Sequence, residues 1–386
     1  MTKLSFMAAP AAALAAALLA TSPAAAKPSA NKALFGTAED GPKVDLITLR
    51  NDHGMTVKIS SRGGTITEID VPDRDGKFGN VVLGAGSFEA WEKLGGFNSI
   101  IGRYANRIGG GGFTLDGTFY KLPANPKTGV ILHGGFPSFA GKLFATDIFE
   151  KNGRAGASFT YVSPDGENGF PGELTLTVTY SLGNDDALRL EYQATTTKPT
   201  VVNFTNHAYF TLGTHASGPV YDQMLQVFAS HWTPTDENQV PTGEIASVEG
   251  TPFDFRKPAR IGDRVYSSDP QMLLAKGLDH NFVIDGEAGP EPRVAVRLTD
   301  PGSGRQLEVR TTEPGVQIYS SNNMFGSTVD GDGRAMRQSD AIAFETEHFP
   351  DSPNKPNFPS TVLRPGETFH SITEFAFSTD REPFDK

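Results

Sequence analysis

Between Leu174 and Leu182 every second residue is apolar: Leu174, Leu176, Val178, Tyr180 and Leu182 alternate with Thr175, Thr177, Thr179 and Ser181. A strand sends successive side chains to opposite faces, so a period of two marks a strand with one buried face. The pattern returns at Leu188, Leu190 and Tyr192, which alternate with Arg189 and Glu191. It returns again at Met55, Val57 and Ile59 after the turn NDHG at 51–54. Val294, Val296 and Leu298, then Leu307 and Val309, flank the turn DPGSG at 300–304. These are hairpins. Helical signals are confined to 87–94, closed by Gly95, and to QMLLAK at 271–276, where Asp269 offers an N-cap, Pro270 a first turn and Gly277 a stop. No interior linker divides the chain. The expectation is an all-β fold, one large antiparallel β-sandwich over residues 44–386 with few short helices.

The N-terminus follows a different rule. Lys3 precedes an Ala/Leu-rich run over 7–20, and Ala24 and Ala26 form a small-residue cleavage site before Lys27. Residues 1–26 read as a secretory signal peptide. The apolar run is short for a membrane span and lacks a charged stop-transfer flank. Residues 27–43 are small and polar and read as a flexible leader. The expectation is an exported protein, periplasmic or secreted, with no membrane attachment after cleavage. The net charge is −11, which disfavours nucleic acid as a partner because phosphates repel it. The chain has no cysteine, which excludes disulfides, thiol nucleophiles and thiolate metal sites.

Two stretches carry polar chemistry on one parity. In 201–210 (VVNFTNHAYF), Val202, Phe204, Ala208 and Phe210 share one parity, and Asn203, Thr205, His207 and Tyr209 the other. Read as one strand, the first set packs a core while the second lines a cleft. In 341–347 (AIAFETE), Ile342 and Phe344 face one way, and Ala343, Glu345 and Glu347 the other. A glutamate backed by a buried phenylalanine is held rigidly, as a general base must be; the bland alternative is a solvated carboxylate. Three histidines sit in polar, turn-adjacent contexts: His133 before Gly134-Gly135, His207 on the polar parity, and His280 in GLDHNF. No H-E-x-x-H or H-x-H spacing points to a metal. DGDG at 330–333 and DRDG at 73–76 lack the full calcium-loop spacing and read as turns. The glycines at 109–112 precede a strand rather than a helix, so they form no phosphate loop, and no G-x-S-x-G elbow is present.

Taken in order, these segments resemble the aldose 1-epimerase (galactose mutarotase) family. The motifs are GRYANRI at 102–108, FTLDG at 113–117, LHGG at 132–135, SPDGENGFPG at 163–172, NFTNHAYF at 203–210, TPFDF at 251–255, GLDHNF at 277–282, GVQIY at 315–319 with FET at 344–346, and FPDSPNKPNFP at 349–359. The resemblance implies a large antiparallel β-supersandwich with a sugar cleft on one broad face. It implies Glu345 as general base, His207 as general acid, and Arg107, His133 and Asp279 as sugar-binding residues, with Asn106 and Gln317 at accessory polar positions. It implies a monosaccharide substrate and no cofactor or catalytic metal. The protein would be a monomer or a homodimer. Three residues depart from the family pattern: Glu347 stands where glutamine is common, Phe144 near a usual tryptophan, and Thr211 where asparagine often follows.

Those residue types suit anomer interconversion. A pyranose opens when its anomeric hydroxyl loses a proton and its ring oxygen gains one, which needs a base and an acid. A carboxylate beside an imidazolium is expected to stabilise both ionised forms. Three rivals are weighed at this point, of which a sugar-phosphate epimerase of the same superfamily would need a basic cluster for phosphate that the motifs lack. A glycosidase would use two carboxylates, Asp279 and Glu345, and would cleave an aryl glycoside. A non-catalytic carbohydrate-binding module would keep the cleft and tolerate loss of the base. The N-terminal reading gives a separate expectation: protein secreted from a native-like host has an intact mass that starts at Lys27, and a full-length mass in the cytosol overturns it.

Overall fold

The computed structural model describes residue 2 and residues 27–214 and 217–382. The proposed signal peptide falls almost wholly outside these described residues. Three antiparallel sheets carry the architecture. The nine-stranded sheet runs in the order Ala145–Lys151, Arg154–Ser163, Leu174–Gly183, Ala187–Thr196, Phe369–Thr379, Arg305–Thr311, Arg293–Thr299, Met224–Val227 and Ala259–Arg260. The six-stranded sheet runs Tyr209–Phe210, Ile342–Glu347, Gly315–Tyr319, Asp279–Ile284, Ala229–Thr233 and Ala246–Ser247. The five-stranded sheet follows chain order from Ser29–Thr37 to Phe78–Asn80. The hairpins expected around 51–54 and 300–304 are present.

The alternation does what the sequence predicts. Leu174, Leu176, Val178, Tyr180 and Leu182 are buried, and the threonines between them are less so. Phe344 of the six-stranded sheet and Phe375 of the nine-stranded sheet both pack on Phe210, with ring centroids 6.1 and 5.0 Å away. This aromatic seam joins the two sheets face to face, as in a sandwich.

Three expectations need correction. Residues 29–37 are not a flexible leader: they form a strand paired along Lys43–Arg50, and Phe35 packs edge-on against Phe88 at 5.3 Å. It is an edge strand with mostly exposed side chains, so backbone pairing orders it and no apolar period announces it. Residues 201–210 are not one strand. They break into Thr200–Val201, Thr205–Asn206 and Tyr209–Phe210, each on a different partner strand. Both parities of this segment are buried, so it threads the interior instead of covering it. The two expected helices form as Phe88–Leu94 and Pro270–Ala275, capped by the Ser87 and Asp269 side chains. At the second, Lys276 rather than Gly277 takes the left-handed position. Gly277 follows at φ 141°, which a side chain disfavours, and a Cβ there would also lie 2.5 Å from the Asn322 Oδ1. A short helix, Ile261–Val265, has no counterpart in the sequence reading.

Phe344 lies under the row of side chains that forms the cleft floor. Phe344→Ala is expected to lower stability by ~3–5 kcal/mol, read from urea unfolding; a loss under ~1 kcal/mol would show that the seam does not hold the sheets together.

Candidate active site

Cross-strand register brings the polar side chains together. Paired residues of antiparallel strands project on the same side of the sheet. One row across the six-stranded sheet is Tyr209, Ala343, Tyr319 and Asp279. The next is Glu345, Gln317, Asn281 and Thr233. The third holds Glu347, Gly315 and Val283. Phe344, Ile318 and His280 point the other way, into the core.

His207 joins this face from the interior segment. Its ring stacks on Tyr209 at 4.7 Å and meets Tyr319 edge-on at 6.0 Å. Asn98 fixes that segment from both sides: its N–H donates to the His207 carbonyl at 3.1 Å, and its side-chain oxygen accepts the Tyr209 N–H at 2.8 Å. His207 Nε2 lies 3.4 Å from Glu345 Oε1. Asn106 and His133 come from a short pairing of Arg107–Ile108 with Ile131–Leu132. Both have left-handed backbones, φ 59° and 52°. The His133 N–H donates to the Asn106 carbonyl at 2.8 Å, and the Asn106 N–H donates to His133 Nδ1 at 3.2 Å.

Asp279 is the hub of the polar set on this face. It accepts from Gln317 Nε2 at 2.6 Å, Arg107 Nη2 at 3.1 Å and Gln239 Nε2 at 3.2 Å. Gln239 also accepts from Arg107 at 3.1 Å, and Arg107 donates to the Asn106 side chain at 3.3 Å. A cleft of about 810 Å³ opens over Glu345, His207, His133, Arg107, Asp279 and Asn106. Gln317 sits beneath, behind Asp279.

All seven residues singled out in the sequence therefore meet at one site. Gln239, Asn98 and the Tyr209/Tyr319 walls are additions. Tyr209 was visible as a neighbour of His207 on one parity. Gln239 lies in a loop without periodicity, and no local signal marks it. Phe144 and Thr211, two of the departures, do not line the cleft: Phe144 packs on Phe139 and Tyr161, and Thr211 hydrogen-bonds Val81 and Thr214. His280 is a core residue, wedged edge-on against Trp232 and Phe253, and its Nδ1 accepts the Asp279 N–H at 3.2 Å.

Burial sets the protonation of the central pair. Desolvation pushes the Glu345 carboxyl up to about 8, with the Asp279 charge adding to it and Arg107 opposing. Desolvation lowers His207 to about 4, against the pull of its own backbone carbonyl and of Asp279. The carboxylate–imidazolium pair expected at neutral pH is thus not the resting form: loss of water outweighs mutual attraction. Both shifts favour the neutral forms near pH 7, with one proton for the pair and Glu345 as its holder.

One ligand atom each from His133, His207 and Glu345 lies within 4.8 Å of the others. A metal-bound histidine normally donates through its second nitrogen. His133 cannot, because its Nδ1 already accepts the Asn106 N–H. Its proton is on Nε2, so His133 is a hydrogen-bond donor and fits a sugar oxygen better than a cation.

Residues 45–376 match the family model described as aldose 1-epimerase. The galactose mutarotase of Rattus norvegicus is 40% identical over 352 residues, 91% of this chain and 99% of that one. The aldose 1-epimerase of Escherichia coli (strain K12) is 38% identical over 344 residues, 88% and 97% of the two chains. The solved galactose 1-epimerase of Lactobacillus acidophilus NCFM superposes with a TM-score of 0.80 at 30% identity, covering 91% of this chain and 99% of that one. The chain belongs to the aldose 1-epimerase family.

Within this family member Glu347 is unusual. It is wholly buried, and neither carboxyl oxygen has a hydrogen-bond partner among the described residues. Burial pushes its acidity well above the usual carboxylate range, Glu345 adds to this, and the Asn106 amide opposes. Glu347 is therefore a buried acid, not a solvated carboxylate. A carboxyl whose pKa rises on folding contributes stability below its unfolded value, near 4.5, which is lost as pH rises toward the folded value. Glu347→Gln is therefore expected to raise the melting temperature increasingly from pH 4.5 to pH 7.5, with superimposable pH–rate limbs. A melting-temperature gap that does not change with pH would refute the neutral, buried acid.

Proposed function

We propose that the chain is an aldose 1-epimerase that interconverts the α and β anomers of free aldohexoses such as glucose or galactose. The observation that carries the mechanism is the 3.4 Å contact between His207 Nε2 and Glu345 Oε1, on the floor of a cleft whose other polar groups face the same way. Moving the resting proton from Glu345 to His207 creates base and acid together. Glu345 then takes the C1 hydroxyl proton, the C1–O5 bond breaks, and His207 protonates O5. That step returns the pair to its resting state. The open aldehyde turns about C1–C2, and the reverse transfers close the ring on its other face. Every proton given is recovered, and no cofactor enters.

Arg107, Asp279, His133 and Asn106 hold the sugar hydroxyls through ring opening, so that the open chain stays in place. Asp279 is unsuited to act as the second carboxylate of a glycosidase, because three side-chain donors already occupy its oxygens. An exported location is part of the proposal and rests on the N-terminal Ala/Leu run and its cleavage site.

Polarimetry of freshly dissolved α-sugars, one at a time, tests the activity and ranks the substrates. Glu345→Gln and His207→Asn are each expected to lower kcat by ~10²-fold or more in folded protein. The pair carries a single proton between about 4 and about 8, so kcat/KM is expected to form a bell with limbs near those values. Below the lower limb a second proton removes the base, and above the upper limb the acid is lost. A Glu345→Gln variant with near-normal turnover would remove the assigned base.

A further inference from the structure

The loop 163–172 is a sequence motif without a part in the chemistry. It connects Arg154–Ser163 to Leu174–Gly183 and never touches the Glu345–His207 pair. Its contacts lead elsewhere. Asn168, in the left-handed region at φ 49°, donates its side-chain amide to the Gly134 carbonyl at 2.8 Å and the Pro137 carbonyl at 3.1 Å. These carbonyls bracket the turn that follows His133.

That turn needs an outside clamp. Gly134 and Gly135 are consecutive left-handed glycines, φ 75° and 88°, so the chain behind His133 has little stiffness of its own. On one side Gly134 presses against backbone, since a Cβ there would lie 2.4 Å from the Gly102 carbonyl oxygen. The turn closes on itself only at its start, where the Gly135 N–H donates to the Leu132 carbonyl at 3.0 Å, and the Asn168 amide ties Gly134 to Pro137.

The loop can bear the load because it is anchored twice. The buried Arg103 guanidinium donates to the Ser163 carbonyl at 3.0 Å, the Ser163 hydroxyl at 2.9 Å, the Pro164 carbonyl at 2.9 Å and the Pro171 carbonyl at 2.9 Å. Arg103 itself belongs to the segment that delivers Asn106 and Arg107. Glu167 accepts from Lys142 Nζ at 2.6 Å, from the Tyr161 hydroxyl at 3.0 Å, and from the Ser163 hydroxyl. Asn168 thus extends from a rigid base.

We propose that Asn168 is a positioning residue that sets where the His133 Nε2–H meets the sugar, through its two hydrogen bonds across the 134–137 turn. The proposal rests on the reading of His133 as a sugar-binding donor. His133 moves no proton in the reaction, so displacing it weakens binding in ground and transition states alike. The signature is a raised KM with kcat retained.

The test compares Asn168→Gly, Asn168→Asp and His133→Ala with the full-length mature enzyme, by polarimetry on the best aldose. Asn168→Gly keeps the left-handed backbone and removes the amide. Asn168→Asp keeps the size and turns an oxygen toward each carbonyl in place of a donor. Both are expected to raise KM ~10-fold or more, with kcat within ~3-fold and both pH limbs unmoved, as His133→Ala does. If His133→Ala raises KM while the Asn168 variants leave it within ~2-fold, the positioning role is overturned and the reading of His133 stands. If His133→Ala leaves KM unchanged, both fall. A fall in kcat that follows loss of folded protein, at constant KM, marks a merely structural residue and also overturns the proposal. Should Asn168→Asp not fold, Asn168→Gly decides alone.

Discussion

The register of three neighbouring strands, Asp279–Ile284, Gly315–Tyr319 and Ile342–Glu347, decides which side chains can meet in this protein. Because side chains alternate, a slip of one residue would turn Glu345 into the core and Phe344 into the cleft. The aromatic seam of Phe344, Phe210 and Phe375 opposes that slip, since it would pull Phe344 off Phe210 and put a carboxyl between the sheets. Packing on one side of the sheet therefore fixes chemistry on the other. Asp279, Gln317 and Glu345 need no separate device to find one another.

The same burial that fixes geometry also sets charge. Glu345 and His207 are each nearly solvent-free, at 2% and 6% exposure, and desolvation moves them in opposite directions. Two ionisable groups thus become a one-proton unit that works between weak acid and weak base. Arg107 answers Asp279 rather than Glu345, which leaves the central carboxyl without a fixed cation. A tight ion pair at Glu345 would hold it ionised and remove the proton that the reaction moves.

Much of this was legible in the sequence, for identifiable reasons. Strands such as Leu174–Gly183 bury one face, so their period is printed in the residues. Of the seven site residues, His133, His207 and Glu345 stood out by turn glycines or polar parity, while Asn106, Arg107, Asp279 and Gln317 came from the family resemblance; all seven converge. What escaped the sequence obeys other forces. The Ser29–Thr37 strand is held by backbone pairing, which any side chains permit. The 201–210 segment is buried on both sides, so its alternation suggested a strand that the interior breaks into three. The protonation of the pair was misread because attraction between neighbours can be guessed from types, whereas depth below the surface cannot. Gln239 reaches Arg107 and Asp279 across 132 and 40 positions of chain, a proximity that no local pattern contains.

One topological fact bears on how such a molecule comes into being. The last long strand, Phe369–Thr379, is central to the nine-stranded sheet, between Ala187–Thr196 and Arg305–Thr311. Until it arrives, two halves of the sheet stand with open edges and Phe210 lacks its Phe375 partner. Contacts between such distant parts of the chain form late and slowly. The sandwich can close only after nearly the whole polypeptide has been made, so nascent chains remain pliable through synthesis. The delay also leaves strand edges open to aggregation until the sheet is complete.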